Sequence, residues 1–558
     1  MNLYGELPKQ PVVFAACDSK YFIDHAQAFV YSANDVGKDV HVHVVNPTDE
    51  VLSLAVLLNA TTKVKTTFSF NDANLSQATP EQTRTFYACL RFMVLPHILA
   101  TAKQVLALDI DCYTMQPFLF DRRARAGYFP REPLPGTAGW EAQGTRVAAG
   151  AVYVADMNIA NAIAKGIETV ELRWFADQIV LSQVFDQVGD EGIIKFDEKF
   201  MDWEFKQGTT IWTGKGPRKY DNPKYVKKKK EFTRLVFELM DSRAVILKPR
   251  LDIPFKKFAA VTANSVREPI RDHWQNFIDK IYYEAKDEGE KILVCESPRW
   301  MFNNTIQKWF ERGTTMYVPH VEKHNWGGND DTLYYMQTVF PWLFTIDQQG
   351  WSGGMAQLKT FDPKAVYTEE TYNELAEYIK SGGSKFKHLQ PPRNDMKGLP
   401  DKYILVPLQL PHDETIKYHS DFSTKEFVEK LCKWGMTHDV PIVFKGHPVN
   451  LSAMIPLEDI INKYANCHYT SKGNFHQLME NAEAVYVQNG GSGQEAMLLD
   501  KKVVVFANAE YNDAVIEGNI DDLPTTWKVL CSDDFEQRKQ MYRRWFDWYG
   551  RLTYSSIR

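Results

Sequence analysis

Cysteine is scarce and scattered: seven residues (17, 89, 112, 295, 432, 467 and 531) in 558, with no Cys-x-x-Cys pair. That spacing offers no disulfide framework and suits free thiols in a reducing compartment. No secretory leader is legible ahead of "MNLYGELPKQPVVFAACDS", so the expectation is a cytoplasmic protein. Nowhere do 18 apolar residues run together, so no transmembrane helix is expected, although peripheral contact with the inner membrane stays open. An excess of positive charge is also lacking. The formal net charge is -6, which gives no general attraction to a phosphate backbone. A nucleic-acid partner would have to use the local run "KYVKKKKEFTR", Lys224 to Arg234, which reads more simply as a solvated helix face. What is present is the composition of a folded protein: 44% hydrophobic, 24% charged and 13% aromatic residues. The length fits two to four domains.

The opening text alternates between strand and helix. "PVVFAAC" is a buried strand, "FIDHAQAFVYSAND" an amphipathic helix and "DVHVHVVN" a strand of period two. "TPEQTRTFYACLRFMVLPHILA" then has helical spacing, and "QVLALDIDCYT" returns to strand. Ligands of such α/β sheets gather at the carboxyl ends of the strands, which is where Asp109 and Asp111 fall. Near Pro223 the text turns charged and helical. A second α/β text begins at "EKILVCESP" and continues through "WLFTIDQQGWSGG", "KYILVPLQLP", "VPIVFKGHP", "AEAVYVQNGGSG" and "KKVVVFAN", for which a parallel sheet is the natural arrangement. The expected divisions are 1–225, a helical connector over 226–290, 291–395, and 396–558 with a closing helix. The Gly-, Pro- and Lys-rich piece Lys380 to Lys402 reads as a linker between the last two lobes. The aromatic and basic "DDFEQRKQMYRRWFDWYGRL" reads as the closing helix, with its aromatics in the core.

Asp-x-Asp at a strand end suits a hard divalent cation, because two carboxylates on one turn hold Mg2+ or Mn2+ and leave positions open for phosphate oxygens. The triplet alone is common. Its setting, "FYACLRFMVLPHILATAKQVLALDIDCYT", resembles the glycogenin-like, LgtC-type GT-A glycosyltransferases, in which an Arg-bearing helix precedes the Asp-x-Asp strand. The resemblance implies that Asp109 and Asp111 are Mn2+ ligands and that Arg91 lies near the donor sugar. By the same resemblance "VVFAACDSKYF" makes Asp18 and Tyr21 nucleotide contacts, and "WFADQIVLSQVF" makes Asp177 and Gln178 sugar- or acceptor-side residues. Ala148 stands where that family has Asn, and Ile179 where it has a second Asp. The stretch "TTIWTGKGPRKY" occupies the place of the family's last motif, with Lys215 and Lys219 available to phosphate but no His to complete the metal site. The chemistry asked of this set is electrostatic: a metal and a lysine stabilise a departing nucleoside diphosphate without a paired acid and base. A UDP-sugar donor is what the resemblance implies.

A second constellation lies in "KYILVPLQLPHDETIKYHSDF", "PIVFKGHPVN" and "VYVQNGGSGQEAMLLDKK". Lys445 and His447 sit in a strand-end loop, and the Gly-rich turn from Asn489 leads to a helix start suited to an anion. This text resembles the capsule polysaccharide synthesis proteins related to bacterial Kdo transferases, with a GT-B-like fold. That resemblance implies that Lys445 and His447 meet nucleotide phosphate, that Asn489, Ser492, Gly493 and Glu495 meet the nucleotide, and that Asp347 of "FTIDQQGWSGG" is the general base. Together these features give an α/β fold class, a GT-A module with a Rossmann-like mixed sheet followed by a two-lobed GT-B-like module. The expected activity is glycosyl transfer from nucleotide sugars to a glycan. Two alternatives stand beside it: glycosylation of hydroxylated bases in phage DNA, with nucleic acid as acceptor, and non-catalytic glycan binding on a transferase scaffold.

Overall fold

The strand Val12–Asp18 is buried on both faces, as a parallel strand covered by helices must be. It is the centre of an eight-stranded sheet in the computed structural model, which describes residues 2–131, 146–214, 216–250, 268–286, 291–393 and 398–557. Two units divide the chain, the first built mainly on Met1–Ser242 and the second on Arg312–Arg558. Strands Thr66–Asn71, Val40–Val45, Val12–Asp18 and Val105–Leu108 of the first unit run parallel in that spatial order. The strand order therefore reverses between Val12–Asp18 and Val105–Leu108, and a crevice at the carboxyl ends of that pair is where such sheets take ligands. Val147–Val154 then pairs antiparallel with Val105–Leu108, which makes the sheet mixed.

The helix Pro80–Ala102 packs its Cys89, Phe92, Leu95 and Leu99 against this sheet. Its start is fixed by a capping box between Thr79 and Gln82, and its end by Lys103 in the left-handed region at φ 68°. By length and composition it is apolar enough to cross a membrane, yet it belongs to this core and carries the ion-paired Arg91.

The second unit has two sheets. In one, Ser242–Arg250, Thr315–Pro319 and Thr332–Gln337 are parallel, while Leu343–Asp347 and the terminal Tyr554–Ser555 run antiparallel to their neighbours. The sheet is mixed where parallel strands were expected, because only the short turn 338–342 separates Gln337 from Leu343, too short for a crossover. The other sheet is wholly parallel, in spatial order Cys467–Thr470, Ile442–Lys445, Tyr403–Pro407, Ala482–Val487, Lys502–Val505, Ile516–Glu517. That is the doubly wound order, with its reversal between Tyr403–Pro407 and Ala482–Val487. The closing helix Phe535–Leu552 buries Tyr542, Trp545, Phe546 and Tyr549 in the core, and the chain then returns to pair with Leu343–Phe344 of the first-described sheet.

The stretch expected as a helical connector over 226–290 contains the nine-residue strand Ser242–Arg250. Val245, Ile246 and Leu247 are fully buried there, and a β-branched pair in a short apolar run fits a buried strand better than a helix. The chain is thus α/β throughout, a mixed Rossmann-like sheet followed by a two-lobed unit.

Candidate active sites

In the first unit the Asp pair follows the strand Val105–Leu108 at the reversal of strand order. Arg91 reaches it from the helix. Its Nη1 is 2.6 Å from Asp109 Oδ1 and its Nη2 3.6 Å from Asp177 Oδ2, and Nη2 also donates to the Ala149 carbonyl at 3.0 Å. Burial pushes the Asp109 and Asp177 carboxyls up, and the Arg91 charge pulls both back down. Lys219, only 5% exposed, ion-pairs with Asp111. Burial works against its charge, but Asp111 more than offsets this and the ammonium is held above its ordinary range. Gly214 is required beside it, because a Cβ there would overlap the Lys219 stem. Tyr225 fixes the turn from below by donating its hydroxyl to the Asp111 carbonyl at 2.9 Å.

Asp177 and Gln178 open the helix Ala176–Val188, and the residue before it, Phe175, sits at φ 71°, a strained position for an aromatic side chain. The Gln178 side-chain oxygen is buried and has no hydrogen-bond partner among the described residues. Asp18 caps the helix Ser19–Asp35 by accepting from the Tyr21 amide at 2.7 Å, while the Tyr21 ring is 48% exposed. Arg91, Asp109, Asp111, Asp177 and Lys219 are thus gathered at one sheet end, with Asp18 at the carboxyl end of the neighbouring strand. Lys215 lies outside the described residues.

Two further groups were not singled out by pattern. Cys112 Sγ lies within 4.8 Å of carboxylate oxygens of both Asp109 and Asp111. Thr213 stands across from them: a Cβ on Gly150 would be 2.9 Å from Thr213 Oγ1 and 3.5 Å from Asp109 Oδ2. A cysteine inside "DIDCYT" reads as part of the strand, and only the three-dimensional placement marks it.

In the second unit, Lys445 ends the strand Ile442–Lys445, and its Nζ donates to the carbonyls of Gly446 at 3.1 Å and Ser471 at 3.0 Å. Burial brings it down to about 8. His447 Nδ1 accepts from the Val449 amide at 3.3 Å, and burial lowers the imidazole to about 4, against the opposing pull of Asp413. At the reversal of strand order Asn489 is locked to Gln409: the Asn489 amide donates to Gln409 Oε1 at 3.2 Å and Gln409 Nε2 to Asn489 Oδ1 at 3.0 Å. Gly493 lets Tyr511 approach, since a Cβ there would be 2.5 Å from the Tyr511 hydroxyl. Ser492 begins the helix Ser492–Leu498 and is half-buried. Glu495 is not open: its Oε1 accepts from Ser384 Oγ at 3.1 Å and its Oε2 lies 2.7 Å from His476 Nε2. A cavity of about 490 Å³ adjoins this pair, lined by Ser384, Lys387, Arg393, Asn474 and His476.

Asp347, expected as a general base, is 2% exposed, and its carboxylate accepts backbone amides of Gln349 at 2.6 Å, Gly350 at 3.2 Å, Ala356 at 3.0 Å and Gln357 at 3.1 Å. A carboxylate so engaged braces the Gly-rich loop. Lys385 lies in the segment whose sequence reads as a linker. Its Nζ donates to the Thr338 carbonyl at 3.1 Å, and burial lowers it to about 8 although Asp413 and Glu510 act to raise it. The lysine run ends as a helix, Pro223–Phe232, whose Lys228 pairs with Glu231 and whose Lys229 lies over the Tyr220 ring.

The family match falls on the second unit. Residues 356–525 match the family of capsule polysaccharide biosynthesis proteins. No curated protein sequence matches the chain. Solved structures similar to it include the Thermosulfurimonas dismutans KpsC β-Kdo 2,7 transferase, at 17% identity over 51% of this chain and 90% of its own, TM-score 0.31. The β-Kdo 2,4 transferase of the same KpsC is similar at 12% identity over 48% of this chain and 81% of its own, TM-score 0.32. The galactosyltransferase LgtC with donor and acceptor sugar analogs is similar at 15% identity over 40% of this chain and 95% of its own, TM-score 0.28.

Proposed function

We propose that the chain is a glycosyltransferase with two donor sites, one per unit, acting on a glycan acceptor. The observation that carries this reading is the placement of both polar constellations at the strand-order reversals of their sheets, Asp109 and Asp111 in the first and Asn489 with Gln409 in the second. The family match over residues 356–525 supports capsule-type glycan synthesis for the second unit.

In the first unit, Asp109 and Asp111 would hold Mn2+ or Mg2+. The donor set fits: two carboxylates of one turn, half-buried, with a gap over Asp109 that any Cβ on residue 150 would fill. A bound ion would supply positive charge to the diphosphate of a nucleotide sugar, UDP-sugar being favoured. Arg91 orients Asp109 and Asp177, and Lys219 adds charge beside Asp111. Asp177 and Gln178 would meet sugar hydroxyls, and Asp18 and Tyr21 the nucleotide. In the second unit Lys445 and His447 serve the donor phosphate, with Lys385 as a further cation. Ser492 and Gly493 line the nucleotide, and Glu495 acts through Ser384 and His476. Asp347 positions the loop 348–357.

A thermal-shift panel of nucleotide sugars on the intact chain tests this reading. D109N is expected to abolish the stabilisation given by one donor class and K445A that given by another. Unchanged responses in both variants would reject it.

A further inference from the structure

The resemblance in the first unit leads to a metal site completed by His, and no His occupies that place in "TTIWTGKGPRKY". The structure provides a different third donor. We infer that Cys112 Sγ is the third protein ligand, giving the first unit an oxygen–oxygen–sulfur site that selects Mn2+, Co2+ or Zn2+ over Mg2+. The inference rests on the reading of Asp109 and Asp111 as metal-holding residues.

Three observations carry it. Ligand atoms of Asp109, Asp111 and Cys112 all lie within 4.8 Å of one another, and a triangle of that side has its centre about 2.8 Å from each corner, close to metal–ligand distances before any adjustment. Gly150 keeps the space over Asp109 and Thr213 open, since a Cβ there would come within 2.9 Å of Thr213 Oγ1. Cys112 itself is fully buried, with its Sγ 3.7 Å from the Gly150 carbonyl and in hydrogen-bond contact with the Thr213 side chain, contacts that coordination would replace. Coordination replaces the S–H bond by a sulfur–metal bond, and the proton leaves to solvent, one per ion bound. Thiolate is a soft ligand and Mg2+ a hard, reluctantly dehydrated ion, so the sulfur shifts selectivity toward the later divalent metals.

The test is a Co2+ titration of the intact chain, followed by visible d–d absorption and by the near-ultraviolet thiolate-to-cobalt charge-transfer band. The wild type is expected to show both. C112S and C112A, each checked for native circular dichroism, are expected to keep d–d absorption from the Asp pair, lose the charge-transfer band and bind Co2+ about tenfold or more weakly. D109N with D111N is expected to lose both signals. Co2+ binding with d–d absorption and no charge-transfer band in the wild type, or a band that survives in C112S, would overturn the sulfur ligand while leaving the Asp pair standing. Absence of any Co2+ binding would overturn both.

Discussion

Arg91 is the residue on which the first site turns. It is 3% exposed and faces Asp109 and Asp177, both pushed up by burial and pulled down by its charge. Removing one member of a buried ionic cluster leaves its partners uncompensated, so R91M is expected to lower the stability of the first unit by about 3–5 kcal/mol, read from chemical denaturation of the intact chain. A substitution that costs nothing there would mean the cluster is open to water. In the second site the relevant groups are Lys445 and Lys385, both brought down to about 8 by burial. Each is charged below that value and neutral above it, so nucleotide affinity in the second unit is expected to fall as pH rises through about 8, measured by calorimetry across pH 7 to 9.5. Affinity flat over that range would remove both lysines from the phosphate site. Lys445 and His447 were legible in sequence because the Lys-x-His-Pro loop ends an apolar run. Lys385 was not, because Gly and Ser around it imitate a linker, and its bond to the Thr338 carbonyl depends on residues distant in the chain.

At the scale of elements, the alternation "DVHVHVVN" fixes a strand but not what its histidines do. In Val40–Val45 both faces are buried, and His41 and His43 form a hydrogen-bonded ladder with Thr67, Ser69 and Asn71 of the neighbouring strand at 2.8–2.9 Å. Burial lowers His43 to about 4 and holds His41 well below the ordinary imidazole range. The unfolded chain takes up these protons near pH 6.5 while the folded one does not. Their contribution is therefore complete above about 6.5 and lost as pH falls toward 4, on the order of 3 kcal/mol for His43 alone. Amide exchange in Val40–Val45 is expected to accelerate over that interval, and protection unchanged down to pH 4 would contradict it. The Gly-rich turn of the second unit carries a steric prediction. G493A places a Cβ 2.5 Å from the Tyr511 hydroxyl, and overpacking against that fully buried ring is expected to cost about 1–3 kcal/mol in denaturant. The strands Val12–Asp18, Val105–Leu108, Ile442–Lys445 and Ala482–Val487 were readable as short apolar runs closed by polar turns. Ser242–Arg250 was not, because the charged text on either side hides a four-residue apolar core.

For the whole molecule, the account rests on two units that each place a polar set at the strand-order reversal of a sheet. Sequence alone carried the α/β class and the second unit's two lobes. The mixed pairing of Leu343–Asp347 and the return of Tyr554–Ser555 to that sheet depend on contacts distant in the chain, which no local pattern encodes. On the proposed function, the two sites would work on separate donors and only the first would need a metal. The most direct measurement is sugar transfer by the intact chain from a panel of nucleotide sugars, with and without excess chelator, in wild type, D109N and K445A. The account predicts two donor activities: one abolished by chelator and by D109N but kept in K445A, the other indifferent to chelator and lost in K445A. A single activity removed by both substitutions, or two activities equally blind to chelator, would contradict it.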